Sequence, residues 1–103
     1  MLALITGASN GLGKDFAKEL SKQGYDLVLV ARSKDKLDKL SSELKTLVYV
    51  EVMDLSVKEN AYKLYSKYKG KIDLLINNAG FGTFGEFTKT DLETELNMLD
   101  LNI

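Results

Sequence analysis

Ile72-Asp73-Leu74-Leu75-Ile76-Asn77-Asn78-Ala79-Gly80 joins an apolar run to an asparagine-glycine turn. An earlier stretch has the same form: Leu2-Ala3-Leu4-Ile5 runs into Thr6-Gly7-Ala8-Ser9-Asn10-Gly11-Leu12-Gly13. A short, continuous apolar run closed by a turn fits a strand buried on both faces, as in a parallel sheet. Two strand-then-turn signatures at this separation point to an α/β sheet of the nucleotide-binding kind.

Between and around them, strands and helices alternate. Residues 2–6 form the first expected strand. Residues 11–23 read as a helix with Leu12, Phe16, Ala17 and Leu20 on one face and Gly24 closing it. Residues 26–31 are a second buried strand. Ser33 is the expected N-cap of a helix striped by Leu37, Leu40 and Leu44. Residues 47–53 are a third strand, and Glu51 interrupts its apolar run, as an edge position allows. Ser56-x-x-Glu59 reads as a capping box for a third helix. Ala61, Leu64, Tyr65 and Tyr68 line one face of that helix, and Gly70 ends it. Residues 72–77 are the fourth strand, 81–87 a loop rich in glycine and aromatics. Thr90-x-x-Glu93 caps a last expected helix carrying Leu92, Leu96, Leu99 and Ile103.

Strands alternating with helices imply right-handed crossovers and a parallel sheet. The expected fold is an α/β, doubly wound sheet of the Rossmann type. In the strand order of that fold, its N-terminal portion has four parallel strands in the order 3-2-1-4. That order leaves the fourth strand with a bare apolar edge, so pairing with a second copy, or marginal stability, is expected there.

Composition narrows the chemistry. The chain has 103 residues, enough for one domain or part of one, and a net charge of −1. No basic field favours nucleic acid or an anionic membrane. Cysteine and histidine are both absent, which removes disulfides, thiolate chemistry, the commonest metal ligand and the commonest general base; no metal is expected. Residues following Met1 already read as a buried strand, so no signal peptide is expected, and no apolar run nears the length of a membrane span. A cytoplasmic setting is the expectation.

Gly7, Gly11 and Gly13 have the spacing G-x-x-x-G-x-G between strand and helix. Such glycines let the backbone turn tightly and let a pyrophosphate approach a helix N-terminus, whose free N–H groups and dipole favour an anion. Thr6, Ser9 and Asn10 add polar groups. The plain alternative is a structural βα turn that needs no ligand. At the end of the second strand an acid would hold both ribose hydroxyls, whereas a base would accept a 2′-phosphate. Ala31-Arg32-Ser33 has no acid, so NADP(H) is favoured over NAD(H), with a solvated surface arginine as the alternative. Asp54, followed by Leu55, closes the third strand. Its carboxylate is placed to accept from an adenine amino group, or to act as a turn aspartate beside Ser56; the two readings are compatible.

Together these features resemble the short-chain dehydrogenase/reductase family. The marks are Thr6-Gly7-x-x-x-Gly11-x-Gly13, Asp54, Asn77-Asn78-Ala79-Gly80 and Asn102, in the family's order along the whole chain. The resemblance implies a dinucleotide cradle made by Gly7, Ser9, Asn10, Gly11, Leu12, Gly13, Arg32, Asp54, Leu55, Asn78, Ala79 and Gly80. It also makes Asn102 the match to a catalytic asparagine that bends its helix and holds a water in a proton relay. A structural asparagine at a fraying helix end is the alternative. The implied reaction moves a hydride between nicotinamide and a small carbonyl or alcohol substrate. The family's catalytic serine and Tyr-x-x-x-Lys belong after Asn102, where the sequence reaches Ile103 and stops. Tyr65-x-x-x-Lys69 has the spacing but comes too early, on an apolar stripe, and reads as a decoy. The chain alone is therefore expected to be inactive, a truncated N-terminal part of such an enzyme. A non-catalytic nucleotide-binding or interaction module is the alternative. Phe81, Phe84 and Phe87 are placed either to wall an apolar substrate or to pack on their own scaffold.

Overall fold

Successive residues of the central strands are buried against different helices, which is why those strands read as unbroken apolar runs. In the computed structural model, which describes residues 1–78 and 99–102, β1 (Leu2–Thr6) sends Ala3 and Ile5 into one cluster and Leu4 into another. β2 (Asp26–Ala31) does the same, with Leu27, Leu29 and Ala31 on one side and Val28 and Val30 on the other. Helices α1 (Gly11–Lys22) and α2 (Lys34–Ser42) cover the first face with Ala17, Leu20, Leu37 and Leu40. Helix α3 (Lys58–Tyr68) covers the second with Leu64 and Tyr68, joined by Ile72. Both faces of the sheet lose water in this way, the condition under which parallel sheets occur.

The remaining strands are β3 (Val48–Val52), β4 (Leu74–Asn77) and β5 (Leu99–Asn102). The sheet order is β3-β2-β1-β4-β5, and every pairing is parallel. The expected order 3-2-1-4 is present within it. Two aspartates pin the register at the N-terminal ends of the strands. Leu2 N–H donates to Asp73 Oδ2 at 2.8 Å while Asp73 N–H donates to the Leu2 carbonyl at 2.8 Å. Leu47 N–H donates to Asp26 Oδ1 at 3.1 Å.

β3 is an edge strand, as Glu51 implied. Glu51 accepts from Lys67 Nζ at 2.7 Å and from the Tyr68 hydroxyl at 2.5 Å, so the charge that breaks the apolar run ties the edge to α3. Burial, that hydrogen bond and the Glu51 charge raise the Tyr68 phenol above its ordinary pKa.

The structure corrects four expectations. Leu99–Asn102 is a strand rather than part of a helix. Leu99-Asp100-Leu101-Asn102 alternates apolar and polar residues, the two-residue period of a strand, and pairing satisfies backbone groups that β4 would otherwise leave open. It follows that β4 has no bare edge: Leu74, Leu75, Ile76 and Asn77 are in register with Leu99, Asp100, Leu101 and Asn102. Self-pairing at β4 therefore has no edge to use. Ser56 does not cap α3, whose N-cap is Val57 without a side-chain bond. The Ser56 hydroxyl points back to Asp54 Oδ1 at 2.7 Å and is spent there. Finally, Leu12 is 56% exposed and lies off the packed face of α1.

Ser33 does cap α2, accepting from Lys36 N–H. The expected loop at 81–87, the Thr90 cap, and Ala79, Gly80, Leu92, Leu96 and Ile103 lie outside the described residues. Among the described residues no helix is long and apolar enough to cross a membrane.

Candidate functional site

The turn after β1 is held from three directions. Ala8 N–H donates to the Val30 carbonyl of β2 at 3.2 Å. Asn78 Nδ2 donates to the Gly7 carbonyl at 3.1 Å. One residue earlier on each strand, the Thr6 hydroxyl donates to Asn77 Oδ1 at 3.0 Å in a buried pair. The asparagine pair at the end of β4 thus clamps the end of β1 and its glycine turn, linking the two sequence signatures by side-chain bonds.

The glycines divide the work. Gly7 and Gly11 have φ of 62° and 52°, the left-handed region where a Cβ is costly. Gly13 is needed for space. A Cβ there would stand 2.2 Å from the Gly7 carbonyl oxygen and 2.8 Å from Asn78 Nδ2. Helix α1 therefore packs onto the turn at a distance only glycine permits, which brings its N-terminus to the C-terminal edge of the sheet.

That N-terminus is uncapped by any side chain. Asn10 is the N-cap, yet its side chain makes no capping bond. Instead its Oδ1 accepts from Lys36 Nζ at 3.3 Å, across from the first turn of α2. The leading N–H groups of α1 have no intrahelical partner by construction, so they remain available to an anion.

A cleft of about 570 Å³ opens beside this terminus, over the C-terminal ends of β1, β2 and β3. Gly7, Ser9 and Asn10 form one wall; Arg32, Ser33 and Lys36 a second; Asp54, Leu55 and Ser56 a third. Among the described residues neither Arg32 nor Lys36 forms an ion pair with a carboxylate. Asp54 accepts from Ser56 Oγ at 2.7 Å and from Ser56 N–H at 2.9 Å. These bonds, with a smaller contribution from the Arg32 charge, hold its carboxyl below the ordinary value. The turn reading of Asp54 is therefore realised, and the same residue lines the cleft.

The cleft unites eight residues singled out from the sequence: Gly7, Ser9, Asn10, Arg32, Asp54 and Leu55, with the expected caps Ser33 and Ser56. Gly13 and Asn78 meet Gly7 behind its glycine wall, and Gly11 opens α1 beside it. Leu12 is exposed on the first turn of α1 and is not among the lining residues. Asn102 ends β5, in register with Asn77, rather than lying on a helix. Lys36 is the cleft residue that the sequence reading missed. Its signal was present: a lysine in the first turn of a helix, where the dipole favours acids. Lys69 is not among the residues that line the cleft. α3 (Lys58–Tyr68) leads from the C-terminal edge of the sheet, where β3 ends, to the opposite edge, where β4 begins, and position 65 lies in its last turns.

This geometry has counterparts among known proteins. The short chain dehydrogenase family model matches residues 1–103. An uncharacterised oxidoreductase of Staphylococcus epidermidis is 36% identical over 105 residues, covering 99% of this chain and 46% of that protein. The human very-long-chain 3-oxoacyl-CoA reductase is 42% identical over 83 residues, covering 76% of this chain and 27% of that one. A short-chain dehydrogenase from Sphingobium yanoikuyae, solved in complex with NADPH, superposes with a TM-score of 0.70 at 36% identity, covering 93% of this chain and 42% of that one. The chain thus spans less than half the length of these relatives. By sequence along its whole length and by fold, the chain belongs to the short-chain dehydrogenase family, oxidoreductases that bind a nicotinamide dinucleotide.

Proposed function

We propose that residues 1–103 form the dinucleotide-binding part of an oxidoreductase that uses NADP(H) in preference to NAD(H) and acts on a carbonyl or alcohol substrate. The observation that carries this reading is the cleft itself. An uncapped helix N-terminus stands on one side, two cations with no carboxylate partner among the described residues on another, and no acid occupies the end of β2. In this reading each part of the dinucleotide would have its own set of residues. Gly7, Ser9, Asn10, Gly11, Leu12 and Gly13 would hold the pyrophosphate at the α1 terminus. Arg32 would grip a 2′-phosphate with its planar fork. Asp54 and Leu55 would meet the adenine. Asn78, Ala79 and Gly80 would support the adenosine side.

Bound nicotinamide supplies the hydride donor or acceptor. The chain's own contribution is to bind and orient it. Asn102, at the C-terminal end of β5 beside Asn77, is the one residue assigned to the reacting end, by position along the sheet edge. No Tyr-x-x-x-Lys stands at that edge among the described residues, so this reading expects binding without turnover from these residues alone.

Titration of the purified 103-residue chain with NADPH and NADH, followed by nicotinamide fluorescence, tests the reading. NADPH should bind more tightly. Arg32→Gln should erase most of the difference, since a charge-assisted bond contributes about 1.5–3 kcal/mol, or roughly ten- to a hundredfold in Kd. Equal affinities in the parent chain would overturn the cofactor preference.

A further inference from the structure

Lys36 has an unusual station. It sits on the first turn of α2, one turn after the Ser33 cap, where a positive charge opposes the helix dipole. Its neighbour Lys34 shares that handicap but is paired with Asp38. Lys36 has no such carboxylate among the described residues; its ammonium crosses the rim of the cleft to the neutral amide oxygen of Asn10, 3.3 Å away. Two consequences follow. The bond occupies the side chain that would otherwise be the natural cap of α1, so the N–H groups of that helix stay open. It also holds a second cation at the wall that carries Arg32, where Asp54 is the only carboxylate among the described residues lining the cleft.

Resting on the cofactor reading above, we infer that Lys36 is a specificity-determining residue. It is parked on Asn10 in the free chain and supplies, with Arg32, the positive charge that selects a ribose bearing a 2′-phosphate. An ammonium bonded to a neutral amide gives up little when it turns to a phosphate dianion, because the new bond is charged at both ends. A long, exposed lysine reaches such a target without moving the backbone. Release from Lys36 also leaves Asn10 free beside the pyrophosphate position.

Small probes isolate the ribose end: 2′,5′-ADP carries the extra phosphate and 5′-AMP lacks it. Calorimetry of the 103-residue chain with each probe should show tighter binding of 2′,5′-ADP. Lys36→Met should weaken 2′,5′-ADP by about tenfold, the loss of one charge-assisted contact, and leave 5′-AMP unchanged. Lys34→Met, removing the paired lysine, should change neither. Asn10→Ala separates the two duties of the contact: it should leave the 2′,5′-ADP preference intact, because the charge remains. If Lys36→Met and Asn10→Ala shift both probes alike, Lys36 merely positions Asn10 and the inference fails. An unchanged preference in Lys36→Met overturns it equally, with Arg32 alone sufficient. If the parent chain does not prefer 2′,5′-ADP, the cofactor reading fails first and the inference with it. Lys36 is exposed, so circular dichroism of the variant should match the parent.

Discussion

Replacing Gly13 by alanine separates a glycine kept for space from one kept for backbone conformation. Alanine is the better helix former by about 1 kcal/mol, so at an open helical site the change would stabilise. At Gly13 the new Cβ would lie 2.2 Å from the Gly7 carbonyl oxygen, 2.9 Å from its carbon and 2.8 Å from Asn78 Nδ2, where ordinary contact begins at 3.4 Å. Relief therefore requires α1 and the turn to separate by roughly an ångström, in a region that packs on both β1 and β2. Such overpacking costs about 1–3 kcal/mol. Loss of the Asn78–Gly7 bond adds about 1 kcal/mol. After the propensity gain, the net destabilisation is about 1–3 kcal/mol. In a chain of this size 2 kcal/mol corresponds to a fall in Tm of roughly 10 °C. Thermal and urea unfolding followed by circular dichroism measure it without any ligand. Asn78→Ala in the same chain removes one of the close contacts but not the Gly7 oxygen, so rescue should be partial, with non-additivity of about 0.5 kcal/mol or more. Gly11→Ala is the contrasting case: nothing lies within 4 Å of the added Cβ, and only the left-handed φ is penalised, about 1–2 kcal/mol. A Gly13→Ala chain as stable as the parent, or more so, would refute the close-packing argument.

Two expectations concern titration. Asp54 has a folded-state pKa below its ordinary value, so its contribution to stability is present above that ordinary value and is lost as pH falls through the folded one. Ser56→Ala removes the larger cause, and the Asp54 carboxyl resonance should then titrate at higher pH; an unchanged midpoint in an NMR titration would remove the Ser56 hydroxyl as the cause. Tyr68 is shifted the other way, its neutral form stabilised by burial and by Glu51, so its contribution persists through neutral pH and is lost only as pH rises through the raised value. Tyr68→Phe should remove a late-ionising tyrosine from an ultraviolet pH titration and cost about 1.5–3 kcal/mol for the lost bond to a carboxylate; an undiminished late phase in the variant would show that another residue is responsible.

Much of the site was legible because its signals are local. Gly7 and Gly11 need positive φ, which a sequence announces through glycine spacing after a strand. Arg32 follows β2 without an acid, and Asp54 follows β3; each position comes from strand order alone. What escaped was long-range or competitive. Ser56 has two uses for one hydroxyl, and Asp54, two residues back, won it from the helix. Leu99 satisfies a helical stripe and a strand alternation equally well, and the open backbone of β4 decided between them. Lys36 is one of many lysines in the sequence, and only the approach of α2 to the glycine turn distinguishes it.

By itself the sequence determined the parallel α/β plan and the place of the cleft, because burial on both faces forces continuous apolar runs and glycine-rich turns mark where they end; the strand order 3-2-1-4 followed from resemblance to a doubly wound family. Tertiary structure decided which groups meet across 71 residues of chain: Asn78 on the Gly7 carbonyl and Thr6 on Asn77. It also decided that Gly13 is required by contact rather than by φ, that β5 covers β4, and that Lys36 faces Asn10. Those outcomes depend on distances between elements. Helix packing and strand register set such distances through the whole core, and no local pattern carries them.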